Sequence, residues 1–370
     1  MTVCEDKDKI SGMQMMAILV MIRIVPISIM FPMITGAKQP QDTVIGSVLS
    51  ALLSIPPILL ITYMSNKFPG KTIIEYSLII LGKFLGSLLS LALIWYWLHG
   101  AANSLRQLAE AYAGVVMPET PMLAFVIIMA VVSAYAAKGG IEVIGRVGEL
   151  TLAIVILAAS FTIVLPYPLI DFDNLSPMLA EGWGTVIESS MTSLAFYMQF
   201  IIIGMIVPYL DKPSCAAKFS LYALIVCTLL MTTFIISLVG VFGGTSNSFI
   251  YPAYNLTRMI SIAQFIERVE AVVLTVWVFS VAISVAIQIW AAAHGLEEII
   301  KWLRLKGLVW HLSAICAAMS IVFYKSVIEL ELFYEAKNWG VYSLSVTLGS
   351  LSLIFIVALF RGMLNEGSKR

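Results

Sequence analysis

Charge is the scarcest thing in this sequence. Only 12% of its 370 residues are Asp, Glu, Lys or Arg, while 60% are hydrophobic. A soluble domain carries about a quarter charged residues, so this chain cannot cover a water-facing surface of normal polarity. A soluble enzyme is excluded on that ground. The mean hydropathy of +0.96 makes an integral membrane protein the default. An excess of one sign is lacking too. The 22 basic residues balance 22 acidic ones, without the basic excess that nucleic-acid binding needs.

Metal and catalytic motifs are also missing. Cys4, Cys215, Cys227 and Cys316 show no CxxC spacing, and His99, His294 and His311 are scattered. They read as ordinary membrane-protein thiols and satisfied histidines, so no metal and no cofactor is expected. There is no Ser/His/Asp set, HExxH, P-loop or catalytic carboxylate pair, and the chain is read as a non-enzyme. No cleavable signal peptide is expected. Met1–Lys9 mixes acid and base, and the first apolar run exceeds the roughly 7–15 residues of a signal core.

What is present is a series of long apolar runs. About 20 apolar residues cross a bilayer as a helix, and ten such spans are expected. They lie near 11–34, 43–64, 84–105, 122–137, 147–165, 185–209, 216–241, 269–295, 308–324 and 341–360. Most connections are short; 65–83, 166–184 and 243–268 are the exceptions. Residues 65–83 read as an amphipathic helix at the surface, with Phe68, Ile73, Ile74 and Leu78 among Lys67, Lys71 and Glu75. No soluble domain interrupts the series, so 1–370 is one transmembrane domain.

Lys and Arg set the orientation. With the N-terminus cytoplasmic, fifteen basic residues fall inside and five outside. Both termini are therefore expected on the cytoplasmic side. Ten helices can be cut into halves near 11–165 and 185–360, and the second half then starts on the opposite side. This is an inverted 5+5 repeat, the transporter architecture with a ligand site near the bilayer midplane.

In that architecture the first helix of each half is interrupted at the membrane centre. The first span carries Arg23, Ile24, Val25, Pro26, Ile27 and Ser28 at its middle, with Pro32 beyond. Pro26 lacks an N–H and clashes with the carbonyl four residues back, so a kink or opening is expected there. The sixth span carries Thr192, Ser193, Ala195, Phe196, Tyr197 and Gln199, followed by Gly204 and Pro208. These polar groups suit a locally unwound backbone or a ligand; helix packing explains them as well.

Arg23 is the most informative residue. A charge at mid-membrane costs at least about 2.5–3.5 kcal/mol and needs an interior partner. It either pairs with a carboxylate, Glu188 being the candidate, or helps hold an anionic ligand group. The third span offers Tyr96 with Trp95, Trp97, His99, Asn103, Arg106 and Gln107. The eighth offers Trp277, Ser280, Ser284 and Gln288, which share a face. Both are candidate walls of a pocket, and both are compatible with simple packing.

Several segments resemble a known family. Gly140-Ile141-Glu142-Val143-Ile144-Gly145-Arg146-Val147-Gly148-Glu149 resembles a GIEVIARxxE-like run of bacterial spore germination proteins. Tyr251-Pro252-Ala253-Tyr254-Asn255-Leu256-Thr257-Arg258, continuing to Phe265-Ile266-Glu267-Arg268, resembles their loop before the eighth helix. Phe68-Pro69-Gly70-Lys71-Thr72 with Glu75 and Tyr76 resembles their loop between the second and third. The chain is similar to the B subunits of GerA-type nutrient germinant receptors, in the amino acid–polyamine–organocation (APC) superfamily. The resemblance implies an all-α membrane protein with the LeuT-type fold, in the spore inner membrane. It also implies partnership with an A subunit and a lipoprotein C subunit. A small nutrient, often an amino acid, would be sensed and would shift the complex toward an ion-releasing state. Here the chain departs from the family once: Val25 and Ile27 stand where small glycines are frequent, and fill space a ligand would use.

Three readings follow. A sensing subunit binds a nutrient without turnover, an APC-type amino acid or cation-coupled transporter moves it, and a scaffold with a decayed site does neither. In the first two, a zwitterion would lie between the middles of the first and sixth spans. Its carboxylate would meet backbone donors near Val25–Ser28, and its other end Thr192–Tyr197 and Trp277–Ser280.

Overall fold

A computed structural model describes residues 9–29, 38–180, 182–259, 270–302 and 304–364, without the side chains of residues 27, 28, 159, 162, 163 and 270. The expected roles of Pro32 and of Phe265-Ile266-Glu267-Arg268 lie outside the described residues. Among those residues the chain is helical, with one isolated bridge between Ile10 and Leu210.

The main helices are α1 (Gly12–Ser28), α2 (Thr43–Lys67), α3 (Ile73–Leu81), α4 (Lys83–Ala111), α5 (Met122–Lys138) and α6 (Gly140–Val164). After them come α7 (Gly184–Tyr197), α8 (Ile203–Ile206), α9 (Ala216–Phe242), α10 (Pro252–Arg258), α11 (Glu270–Ile299), α12 (Leu305–Val322), α13 (Val327–Phe333) and α14 (Val341–Phe360). Among the described residues seven helical segments are long and apolar enough to cross a membrane, and the α5–α6 pair, taken as one span, adds an eighth. That pair contains the expected spans 122–137 and 147–165. It bends by 118° at the Gly139–Gly140 junction, where Gly140 sits at φ +84°, a conformation a side chain opposes. α1 is apolar over Gly12–Pro26, shorter than a full span.

The molecule is apolar outside, and its largely apolar interior also holds many small polar side chains. Leu52, Leu53, Leu88, Leu91, Leu150, Leu157, Leu353 and Phe360 are exposed, large apolar side chains that suit contact with lipid better than water. Inside, Ser47, Ser50, Ser54, Ser193, Ser280 and Ser343 are buried. Hydrocarbon provides no hydrophobic drive between helices, so close packing of small residues and interhelical hydrogen bonds hold the bundle instead. α1 lies at the centre, against α6, α9 and α11, and α4 packs along α11.

α3 corrects one expectation. It begins with a capping box between Thr72 and Glu75, but it is not a surface helix. Ile73, Ile74, Tyr76, Ser77 and Ile80 are fully buried. α3 folds back onto α4, and Gly86 makes this possible: a Cβ there would lie 2.7 Å from Leu78 Cα and 2.9 Å from the Ser77 carbonyl oxygen. Both are backbone atoms that cannot swing away. Gly86→Ala gains about 1 kcal/mol of helix propensity but forces overpacking worth about 1–3 kcal/mol. A net loss of thermal stability in detergent is expected; an equal or higher Tm would refute this packing.

Candidate functional site

The span Gly184–Tyr209 changes its winding at mid-length. α7 ends at Tyr197 and gives way to a 3₁₀ stretch, Met198–Ile202, before α8 and a further 3₁₀ turn at Val207–Tyr209. A mid-helix 3₁₀ segment marks a hinge or strain, and Pro208 has no N–H to continue an α ladder. Near this switch the Ala195 carbonyl accepts a hydrogen bond from Ser343 Oγ at 2.7 Å, and Ser343 Oγ lies 2.7 Å from Tyr96 Oη. With its proton committed to Ala195, Ser343 accepts from Tyr96. The relay ties α4, α14 and α7 together. α1, by contrast, runs through Pro26 to Ser28 as helix, so the expected opening is not found at Ile24–Ser28.

Arg23 projects from α1 toward this switch and is 2% exposed. Its Nη2 donates to Ser193 Oγ at 2.8 Å and lies 3.0 Å from Met231 Sδ. The guanidinium carbon stands 4.5 Å from the Tyr197 ring centre and 5.5 Å from that of Phe196. Ser50 of α2 donates to Ser193 at 3.0 Å, and Tyr197 Oη is 3.0 Å from Thr228 Oγ1 of α9. Every one of these partners is neutral, and Arg23 Nε has none. Among the described residues Arg23 makes no ion pair.

Glu188 is therefore not the observed partner. It is exposed and lies within electrostatic reach of Lys337. The reason is helical geometry. Glu188 and Ser193 are five residues apart, so they project about 140° from one another, whereas Ser193 and Tyr197 share a face.

Thr192, Ala195, Phe196, Tyr197, Tyr96, Trp277, Ser280 and Ser284 are all buried, as are Ile24, Val25 and Pro26 of α1. Ser280 Oγ faces Met21 Sδ of α1 at 3.6 Å, while Ser284 is bonded by Gln288 of its own helix at 3.0 Å. Ile22, Tyr96, Trp97, Gly100, Gln199 and Gln288 close into a seam with no space for a water. A cavity of ≈ 20 Å³ lies between Pro57, Ile61, Tyr197, Met198 and Thr347, far below the roughly 300 Å³ of a small-molecule pocket. Neither of these two spaces would hold a small molecule. Sequence reasoning missed Ser50, Met231, Thr228 and Ser343. Ser50 and Ser343 lie in small-residue stripes (Ser47, Ser50, Ser54 and Ser343, Thr347, Ser350) that signal buried helix faces; Met231 carries no such signal.

This fold is that of a class of membrane transporters. The structure resembles a Na⁺-coupled sialic acid symporter in a substrate-bound outward-open state, with a TM-score of 0.68 at 10% identity over 96% of this chain and 81% of that one. It also resembles MhsT in complex with L-phenylalanine, at a TM-score of 0.62 and 12% identity over 95% and 99% of the two chains. These likenesses establish the LeuT-type fold. Sequence then narrows the class. Residues 9–328 match the family described as spore germination protein. The chain is 26% identical over 274 residues to spore germination protein YndE of Bacillus subtilis (strain 168), covering 72% of this chain and 74% of that one. It is 25% identical over 266 residues to spore germination protein A2 of the same strain (71% and 73%) and 24% identical over 270 residues to GerQB of Bacillus cereus (72% and 74%). The chain belongs to the spore germination protein family.

Proposed function

We propose that this chain is the membrane subunit of a spore germinant receptor that senses a small nutrient bearing a carboxylate, such as an amino acid. The observation that carries the reading is Arg23, a buried cation held, among the described residues, by neutral groups where α7 changes its winding. A carboxylate entering this cage would supply the missing counter-charge. Because neither of the two spaces there would hold a small molecule, a ligand must bind a more open arrangement better than this one. That differential affinity is what converts binding into a signal. The α7 switch, with Ala195 tied to Ser343 and Tyr96, is the element that would move.

On this reading the chain crosses the membrane ten times as an inverted 5+5 repeat with halves near 11–165 and 185–360. α5 and α6, taken as two separate spans, and α1 bring the seven long ones to ten. The chain resides in the spore inner membrane with both termini on the core side and works with an A subunit and a lipoprotein C subunit. The fold likeness to a Na⁺-coupled symporter favours transport as the second reading. Two measurements decide. Spores lacking this gene should lose the response to a single nutrient in a panel. The purified chain in liposomes should bind that nutrient without accumulating it. Accumulation by the chain alone would establish the transporter; an unaltered response to every nutrient would refute the sensor.

A further inference from the structure

The end of the bundle near α10 and α13 holds a second set of polar side chains that the Arg23 cage does not use. α4 presents Asn103, Arg106 and Gln107 there, each 2% exposed. Arg106 Nη2 pairs with Glu110 at 2.5 Å, and its Nη1 donates to the Ser320 carbonyl at 3.1 Å. α13 contributes Glu331 and, at its C-terminal cap, Tyr334. Gln107 Nε2 donates to Tyr334 Oη at 2.5 Å. Asn103 lies beside the hydroxyls of Tyr324 and Tyr334 without a well-formed hydrogen bond to either. Tyr251, just before α10, lies within electrostatic reach of Glu110, Glu331 and Arg106. The hydrogen bonds tie α4 to the end of α13 and to the end of α12, and these groups are termed the ring.

The ring is short of partners. Asn103 Oδ1 and Nδ2, Gln107 Oε1, Glu331 Oε1 and Arg106 Nε are buried with no hydrogen bond. Native structures keep few such atoms, because a buried acceptor without a donor forfeits its hydration for nothing. Turning the Gln107 amide round leaves one atom over in either orientation. The charge count is uneven as well. Arg106 is neutralised by Glu110, whereas Glu331 makes no ion pair among the described residues. Partial burial pushes the Glu331 carboxyl up to about 7, the direction expected of a partly desolvated carboxylate without a counter-ion.

We propose that this ring binds a small monovalent cation, an alkali ion or a primary ammonium, through oxygens of Glu331, Gln107 and Asn103. One carboxylate and two amides supply a single negative charge and neutral oxygens, which match a hard cation of charge one. The described residues hold no cluster of three His, Cys, Asp or Glu side chains for a metal. Glu331, Glu110 and Arg106 all lie within electrostatic reach of Tyr251, and Tyr334 follows Glu331 one helical turn later. Since none of these is a free cation, the bound ion is the counter-charge. The site is separate from the Arg23 cage, and its fate leaves the nutrient reading untouched.

The test uses the full chain purified in detergent. Its melting is followed at fixed ionic strength while choline chloride is replaced by sodium, potassium or methylammonium chloride. A saturable rise in Tm over choline is expected with at least one of the three, larger at pH 8 than at pH 5.5 because the carboxyl must ionise. The response should vanish in Glu331→Gln and fall at least tenfold in apparent affinity in Gln107→Leu. It should persist in Glu329→Gln, an exposed carboxylate on the same helix. In choline at pH 8, Glu331→Gln should melt at or above the wild-type temperature, because an uncompensated buried charge is gone. Equal melting in all four salts overturns the proposal, as does a wild-type response in Glu331→Gln. Should that variant fail to fold, Gln107→Leu decides by the same criterion.

Discussion

Arg23→Met should leave the chain as stable as before and blind to its nutrient. The reasoning weighs two sets of terms. Burying the guanidinium costs at least about 2.5–3.5 kcal/mol. The cation–π contacts with Tyr197 and Phe196 return about 2 kcal/mol when desolvated, and the bond to Ser193 adds roughly 1.5–3 kcal/mol. The balance is near zero, and an apolar residue of similar length replaces a buried ion at little cost. The ligand term is one-sided. A carboxylate left without its cation loses at least one charge-assisted hydrogen bond, and recognition should fall about 100-fold or more. Arg23→Lys keeps the charge but loses the planar fork and its stacking on Tyr197, so an intermediate loss of about tenfold is expected. The measurements are ligand-dependent thermal shift and the germination dose–response at matched protein level. A normal dose–response in Arg23→Met would end the ligand role. A Tm loss of several degrees with no change in response would make Arg23 a structural residue.

Much of the architecture can be read from residue pattern alone, and the misses have physical causes. Sparse charge and long apolar runs place the chain in lipid, and the small polar run Thr192–Gln199 with Pro208 marks the span whose winding changes. Arg23 stands out because a charge in an apolar run has few explanations. Its partners were not legible. Glu188 is a carboxylate at a plausible depth, but helical phase turns it outward, and the cage is built from a serine, a thioether and two rings that no charge argument selects. α3 misled for a related reason: Lys67, Lys71 and Glu75 lie at or before its first turn, where they read as a polar face. The α5–α6 bend sits within a segment that stood out as a family motif, and only the positive φ of Gly140 explains its sharpness. Asn103 and Gln107 are legible in the sequence as polar residues on the third span, a candidate pocket wall. That their atoms lack partners depends on α13, more than 200 residues away.

The second large effect is expected from Trp339→Ala. Trp339 is 1% exposed in the turn Ala336–Gly340 that precedes α14. Its ring packs at 5.3 Å from Phe196, 5.6 Å from Tyr334, 5.8 Å from Phe333 and 5.9 Å from both Tyr96 and Tyr342. It therefore bridges the helix that carries the Arg23 cage, the wall on α4 and the α13 segment. Removing a buried Trp costs about 3–5 kcal/mol through lost transfer energy and an unfilled cavity, enough to lower Tm on the order of 10 °C. The cavity would be lined by rings, and such cavities stay dry and accept aromatic guests. Indole in the assay should then restore part of the lost Tm in Trp339→Ala and leave the wild type unmoved. Trp339→Phe should lose less than half as much. Because Phe196 also stacks on Arg23, loss of the indole should loosen the α7 switch and raise the nutrient concentration needed for a response. Melting of Trp339→Ala within 1–2 °C of the wild type, roughly the shift of a sub-kcal/mol change, would show that this turn is not part of the closed core. A full Tm loss with no indole rescue would show that the bundle collapses into the gap rather than keeping the shape of the missing indole.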